Sequence, residues 1–167
     1  SQITINSNSF VDSIGSYGII YDSTDSSGNN AIQVVRTINV IETTSPILTI
    51  PSDVTAEATG QSTNVNIGLA TAIDNSDPSP TITNNAPNSF SLGITTITWT
   101  ATDDSGNIST ATQTVIIQDT TPPTLTMPND ITIEATGEQT TVNIGTATAT
   151  DLVDQTPTIT NNAVTSY

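Results

Sequence analysis

Gly93-Ile94-Thr95-Thr96-Ile97-Thr98-Trp99-Thr100-Ala101-Thr102-Asp103 alternates apolar and threonine side chains. Ile97, Trp99 and Ala101 fall on one side, and Thr96, Thr98, Thr100 and Thr102 on the other. That period of two belongs to a strand with one buried face. The following Asp103-Asp104-Ser105-Gly106-Asn107 contains the Gly and Asx residues that tolerate positive φ in a tight turn. Beyond it, Ser109 to Gln118 places Val115 and Ile117 inward, so the two runs predict a β-hairpin. Upstream, Leu48 and Ile50, then Val54, Ala56 and Ala58, then Val65 and Ile67, then Ile82 read as short strands, divided by Pro51, Gly60, Gly68 and Pro78. About seven short strands without a helical period predict an all-β fold, a β-sandwich. A helical alternative fails because β-branched residues dominate and Pro or Gly interrupts nearly every stretch.

The chain then repeats itself. PSDVTAEATGQSTNVNIGLATAID, starting at Pro51, returns as PNDITIEATGEQTTVNIGTATATD starting at Pro128, a period of 77 residues. The match continues from Pro80-Thr81-Ile82-Thr83-Asn84-Asn85-Ala86 to Pro157-Thr158-Ile159-Thr160-Asn161-Asn162-Ala163. The first segment is a more divergent copy. Thr24-Asp25-Ser26-Ser27-Gly28-Asn29 parallels Thr102-Asp103-Asp104-Ser105-Gly106-Asn107, and Gly15, Ile19 and Tyr21 parallel Gly93, Ile97 and Trp99, at an offset of 78 residues that one insertion explains. Asn8-Ser9-Phe10 parallels Asn88-Ser89-Phe90. The expected organisation is the C-terminal half of one repeat (1–44), a complete repeat (45–119) and the N-terminal half of another (120–167).

Composition narrows the function. Sixteen acidic residues face one basic residue, Arg36, for a net charge of −15, which repels nucleic acid and anionic lipid. With no His and no Cys, the usual zinc, copper and haem ligands are missing and no disulfide forms, which leaves hard, oxygen-seeking cations. No apolar run approaches the roughly 20 residues of a membrane span, and no signal-like start is present, so the chain is read as soluble and as processed or excerpted. Abundant Thr, Ser and Asn with no Lys suit an exposed, extracellular surface protein. Without His, Cys or Lys, a Ser or thiolate nucleophile lacks its usual base, and nothing places two carboxylates across a cleft, so a non-enzymatic role is expected.

The residues also carry a family resemblance. Thr121-Pro122-Pro123-Thr124-Leu125-Thr126-Met127-Pro128-Asn129-Asp130-Ile131, the stretch Gly93 to Asp103 and the Ser105-Gly106-Asn107 turn together resemble the hyalin repeat, or HYR domain. The resemblance covers the middle repeat end to end and the third segment as far as it runs. The first segment, with Gly15-Ser16-Tyr17-Gly18-Ile19-Ile20-Tyr21, looks more like a related bacterial Ig-like surface module. The resemblance implies tandem immunoglobulin-like sandwiches, extracellular exposure and a role in adhesion or surface architecture, with no assigned catalytic residue. Pro122-Pro123 and Ser45-Pro46 make the linkers short and stiff, so a rod-like array is expected.

Strand direction predicts where the acids gather. If the first strand of a sandwich runs away from the preceding linker, the last runs the same way, and the loop before it returns to the linker end. Asp103, Asp104 and Asn107 sit in that loop. Asp74 and Asp77 lie in another loop facing the same linker, which carries Glu42. The corresponding set at the next linker is Asp119, Asp151 and Asp154, with Glu57 reaching over from the middle repeat. Interdomain calcium, which takes six to eight oxygen ligands in flexible geometry, is the expected cofactor at both junctions. The competing reading is that Asp and Asn stand in these loops because they favour turns.

Three readings complete the set. Trp99 could stack on a sugar but shares its face with Ile97 and Ala101, so a core position is expected. Asn107-Ile108-Ser109 matches a glycosylation acceptor. Phe10 and Tyr167 both fall at the register of Phe90, so each end of the chain holds half a sandwich. Either the chain is a window on a longer polymer, or residues 120–167 of one copy join 1–44 of the next by strand complementation, with residues 1–9 as donor strand. The partners expected are therefore further copies or adjoining repeats, head to tail. The alternative function is a glycan-binding or spacer module of a secreted multidomain protein.

Overall fold

The computed structural model describes residues 13–163. Asn8-Ser9-Phe10, the 1–9 donor strand and Tyr167 lie outside the described residues. The described chain is all-β, with strands β1 (Gly15–Tyr21), β2 (Val34–Val40), β3 (Ile47–Thr49), β4 (Val54–Glu57), β5 (Thr71–Ile73), β6 (Thr81–Asn84), β7 (Gly93–Thr102), β8 (Ile108–Gln118), β9 (Thr124–Thr126) and β10 (Thr148–Thr150). No helix of the described residues is long and apolar enough to cross a membrane.

The middle repeat builds a four-stranded sheet in the order β4-β8-β7-β6 and a two-stranded sheet of β3 and β5. The alternation that defined β7 fixes its faces: Ile97, Trp99 and Ala101 are buried, and from β8 so are Val115 and Ile117. β4 pairs with β8 in parallel, Val54 opposite Val115 and Ala56 opposite Ile117. The repeat's second strand, β4, therefore runs the same way as its last, β8.

By backbone proximity the chain forms two compact units. One holds residues up to Leu48 together with Ala72–Thr81 and Ala101–Ser109. It contains the antiparallel β1–β2 hairpin, with Ile19 opposite Arg36, and the acidic loops. The other holds Thr49–Thr71, Ile82–Thr100 and the residues from Thr110 onward, with most of the buried core and the third segment. There β9 and β10 pair with Leu125 opposite Ala149, reproducing β3 and β5 one 77-residue period later. Residues 131–134, the counterpart of β4, form no strand. In the middle repeat that strand is paired with β8.

Val65 and Ile67, expected as a strand, are not one. Asn66 Oδ1 accepts the Gly68 N–H (3.0 Å), and Gly68 turns the chain at φ +82° close against Pro51. The Ile67 carbonyl is taken instead by a side chain: Gln113 Nε2 donates to it (3.0 Å) and to the Ser52 carbonyl (2.7 Å), while Gln113 Oε1 accepts the Trp99 indole N–H (3.0 Å). Gln113 is fully buried and Trp99 is 3 % exposed, so Trp99 is a core residue with no free stacking face.

Replacing Gln113 by Leu weighs two effects. Burying an apolar side chain there returns about 2 kcal/mol, but it strands two carbonyls and an indole N–H at about 1–3 kcal/mol each. Gln113→Leu is expected to lose about 3 kcal/mol net. Urea unfolding followed by Trp99 fluorescence measures this, and an unchanged midpoint would show that the amide bridge contributes nothing.

Candidate metal centre

The acidic loops are shaped first by their own carboxylates. Asp74 Oδ1 accepts the N–H groups of Ser76 (2.8 Å) and Asp77 (3.0 Å), and Asp77 Oδ1 accepts that of Ser79 (2.8 Å). Asp77 Oδ2 ties this loop to the hairpin turn by accepting the Asp104 N–H (3.0 Å). Within the turn, the Asp103 N–H donates to the Asn107 carbonyl. Asp103 Oδ1 accepts the Asn107 N–H (2.7 Å), and Oδ2 accepts the Asn107 side-chain amide (2.8 Å). That amide also donates to Glu42 Oε2 in the preceding linker, and Glu42 Oε1 accepts the Thr44 N–H.

These bonds gather three carboxylates. One oxygen each from Glu42, Asp74 and Asp103 lies within 4.8 Å of the others. Two oxygens on opposite sides of a calcium ion at about 2.4 Å would stand about 4.8 Å apart, so the spacing fits a shared hard cation. Asp103 is 6 % exposed. Burial pushes its carboxyl up, but the bonds from the Asn107 side chain and backbone outweigh this and hold it below the ordinary 3.8, so it stays charged. Asp74 Oδ2 is buried and has no hydrogen-bond partner. A buried carboxylate oxygen without a donor is costly unless a cation meets it.

Of the expected set, Glu42, Asp74 and Asp103 come together. Asp77 and Asn107 hold the loops in place, and the Asp104 side chain is exposed. Asn107 Nδ2, the atom a glycan would use, is already bound by two carboxylates.

The second junction is arranged differently. Glu57 Oε1 accepts the Thr120 N–H (2.7 Å) and the Thr121 hydroxyl (3.2 Å), and Oε2 accepts the Thr120 hydroxyl (2.9 Å). Asp119 Oδ1 accepts the Thr121 N–H (3.2 Å). Asp151 and Asp154 repeat the turns of Asp74 and Asp77, with Asp151 Oδ1 accepting from Val153 and Asp154 (both 2.8 Å). Among the described residues, Glu42, Asp74 and Asp103 form the group of three that meets the spacing; the second junction contributes none.

Sequence reasoning did not single out Asp25. Its turn copies that of Asp103: Asp25 Oδ1 accepts the Asn29 N–H (2.9 Å) and Oδ2 the Asn29 amide (2.8 Å). The parallel TDSSGN and TDDSGN stretches were the available signal.

Glu57 supplies a pH test. The Thr120 N–H, followed by the Thr120 hydroxyl, holds its carboxyl below the ordinary 4.5. A depressed folded value contributes stability that is present above the unfolded pKa and is lost as pH falls through the folded one. Between about pH 6 and pH 3 the stability advantage of wild type over Glu57→Gln is therefore expected to shrink as acid is added. Thermal melts of both proteins across that range measure it, and a constant gap would assign the clamp no charged component.

Comparison with known proteins agrees with this architecture. The HYR domain family matches residues 41–117, which span the linker Glu42, both acidic loops and the β7–β8 hairpin. The chain is similar to hyalin of Lytechinus variegatus, 41 % identical over 127 residues, and to hyalin of Strongylocentrotus purpuratus, 42 % identical over 126 residues. The matches cover 71 % and 70 % of this chain but 24 % and 10 % of those proteins, so the chain spans a quarter or less of the relatives it matches. With its hairpin and its middle sandwich in place, the segment 41–117 of this chain belongs to the HYR-domain family.

Proposed function

We propose that this chain is a non-catalytic, extracellular adhesive module whose middle repeat is fixed to its preceding linker by calcium. The observation that carries the cation is the buried, unpartnered Asp74 Oδ2 beside Glu42 and Asp103. Turn formation accounts for Asp74 Oδ1, which has two N–H partners, and leaves Oδ2 without a role. Three carboxylates held this close also repel one another, and with Arg36 the only basic residue in the chain, the protein has almost no cationic side chains to offset them. A divalent cation relieves both costs.

Glu42 would supply the linker's share of the ligands, and Asp74 and Asp103 those of the two loops. Binding would therefore restrict the linker by joining it to two loops of the repeat that follows. Tandem repeats in surface adhesion benefit from such junctions because a stiffened linker preserves the reach of the array. The presence of adjoining repeats is in keeping with HYR membership.

Extracellular calcium modules bind at about 0.1–1 mM, and at about 100 times the dissociation constant one site adds roughly 2.7 kcal/mol. Thermal melting is expected to rise with calcium and fall in EGTA. Asp74→Asn is expected to abolish the calcium response and to hold or raise the melting point in EGTA, since it keeps the Oδ1 acceptor and removes one of three repelling charges. Equal midpoints with and without calcium, and no heat of binding by calorimetry, would remove the cation from the function.

A further inference from the structure

The outer face of the β7–β8 pair is built of threonine. Counted from the Asp103–Asn107 pair that closes their turn, Thr100 stands opposite Thr110, Thr98 opposite Thr112 and Thr96 opposite Thr114. Their neighbours along the strands, Ile97, Trp99, Gln113 and Val115, are buried, so the pleat turns the threonines outward. Thr96, Thr110 and Thr112 are exposed, and the other three are half-buried. Ile94, 72 % exposed, and Ile116 extend the array by one row. All eight side chains are β-branched and stiff at χ1 before anything meets them. The face belongs to the middle repeat, whose own residues supply both of its sheets.

Strand propensity accounts for threonine on an outward face, but the sister hairpin shows that the repeat does not require it. In the first segment the positions corresponding to Thr98, Thr100 and Thr112 hold Ile20, Asp22 and Val35. Charge sets the face apart further. The chain carries −15 with one basic residue, yet none of the 10 residues of β7 or the 11 of β8 is charged. The carboxylates of the repeat stand in its loops and at the two ends of β4. Copies that meet through the loops bring like charges together, and repulsion reaching about 10 Å opposes them. Copies that meet through the threonines bring neutral surface to neutral surface. The β3–β5 sheet also lacks charge, but its strands are three residues long and Asp74 directly follows β5.

Shape and edges narrow the occupant. Past the end of β6, Asn85 Oδ1 accepts the Thr98 N–H (2.7 Å) and the Asn85 N–H donates to the Thr98 carbonyl (3.3 Å). Ahead of β4, Asp53 Oδ1 takes the Thr114 N–H (2.7 Å). An added strand finds these backbone groups taken, which leaves the face and not the edge as the docking surface. A sheet twists by about 20–25° per strand, which suits a second twisted sheet packed at about 30° better than a straight polymer. Each threonine hydroxyl both donates and accepts beside a methyl group, so the array complements itself.

We propose that this face binds the same face of a second copy of the chain, about a two-fold axis near the Thr98–Thr112 row. The contact is isologous, so it closes at two and joins chains side by side. It goes beyond the calcium junction and does not depend on it. Four rows about 6.8 Å apart on strands about 4.8 Å apart, with their flanks, cover on the order of 400 Å² per copy. A stable dimer buries about 800 Å² per copy, so one pair of faces is weak, on the order of 0.1–1 mM.

Sedimentation equilibrium of the chain in EGTA, from about 20 μM to about 1 mM and in about 0.05 and about 0.5 M NaCl, tests it. Dimers are expected at the top of the range. They should increase with salt, because screening removes the repulsion between two chains of −15 and leaves the neutral contact intact. Thr98→Glu combined with Thr112→Glu puts four charges at the centre of the pair and should weaken dimerisation at least about tenfold. Thr71→Glu, at an exposed position on β5, should change it by less than about twofold. In the wild-type chain, which needs no substitution, amide resonances that shift on dilution should map to 96–100 and 110–114. A chain monomeric to about 1 mM at both salts, dimers that dissociate as salt rises, or shifts confined to other residues would overturn the proposal. Equal loss on Thr71→Glu would do the same by moving the contact to the β3–β5 sheet. If dextran, a neutral glucan, shifts the same amides while the chain stays monomeric, the face takes sugar and the second copy is excluded.

Discussion

The amide of Gln113 joins parts of the middle repeat that apolar packing alone would hold loosely. Among the described residues seven apolar side chains are buried, two of them the small Ala58 and Ala101, and no disulfide reinforces them. A core that small gives few ways to penalise a sliding strand. Gln113 answers to three partners at once, the Ser52 and Ile67 carbonyls and the Trp99 indole. A one-residue slip of β8 would turn Gln113 out and leave all three buried groups unpaired. Register is thus set by a polar bridge, and the irregular run at 65–67 is possible because a side chain satisfies its backbone.

Much of this could be read from the chain. The alternation of Ile97, Trp99 and Ala101 gave the buried face of β7, the Gly106 turn gave the hairpin, and the 77-residue period placed β9 where β3 required, whereas β5 and its counterpart β10 were not read as strands. Val65 and Ile67 misled because two apolar residues two apart look the same whether their carbonyls meet a strand or a buried amide. Ile131 and Ile133 repeat the apolar alternation of Val54 and Ala56, yet only the latter pair forms a strand. Sequence records the preference, whereas the ladder needs the neighbour.

The same distinction separates the two junctions. Strand direction grouped Glu42 with Asp74, Asp77, Asp103 and Asp104, and of these the structure brings Glu42, Asp74 and Asp103 within 4.8 Å of one another. Glu57 was placed correctly beside the next linker, but its partners are the N–H and hydroxyl groups of Thr120 and the hydroxyl of Thr121. A carboxylate near a threonine-rich linker has donors at hand and no need of a metal to satisfy it. Position along the chain could not reveal that choice, because it depends on which side chains lie within about 3 Å.

Turn chemistry and ion binding need not compete for the same aspartates. A carboxylate has two oxygens and about four acceptor sites, whereas an Asx-type turn uses one oxygen. In Asp74, Oδ1 accepts both loop N–H groups and Oδ2 is left buried without a donor. The turn thereby fixes the direction of the free oxygen, which would lower the ordering cost of binding the proposed cation. Asp77 uses both its oxygens within the protein, one for its own turn and one for Asp104. It therefore positions the hairpin relative to the Asp74 loop, leaving Asp74 and Asp103 to face Glu42. The Asp74 turn would then have a second consequence under the proposed calcium reading: the oxygen its loop does not use would be open to a cation.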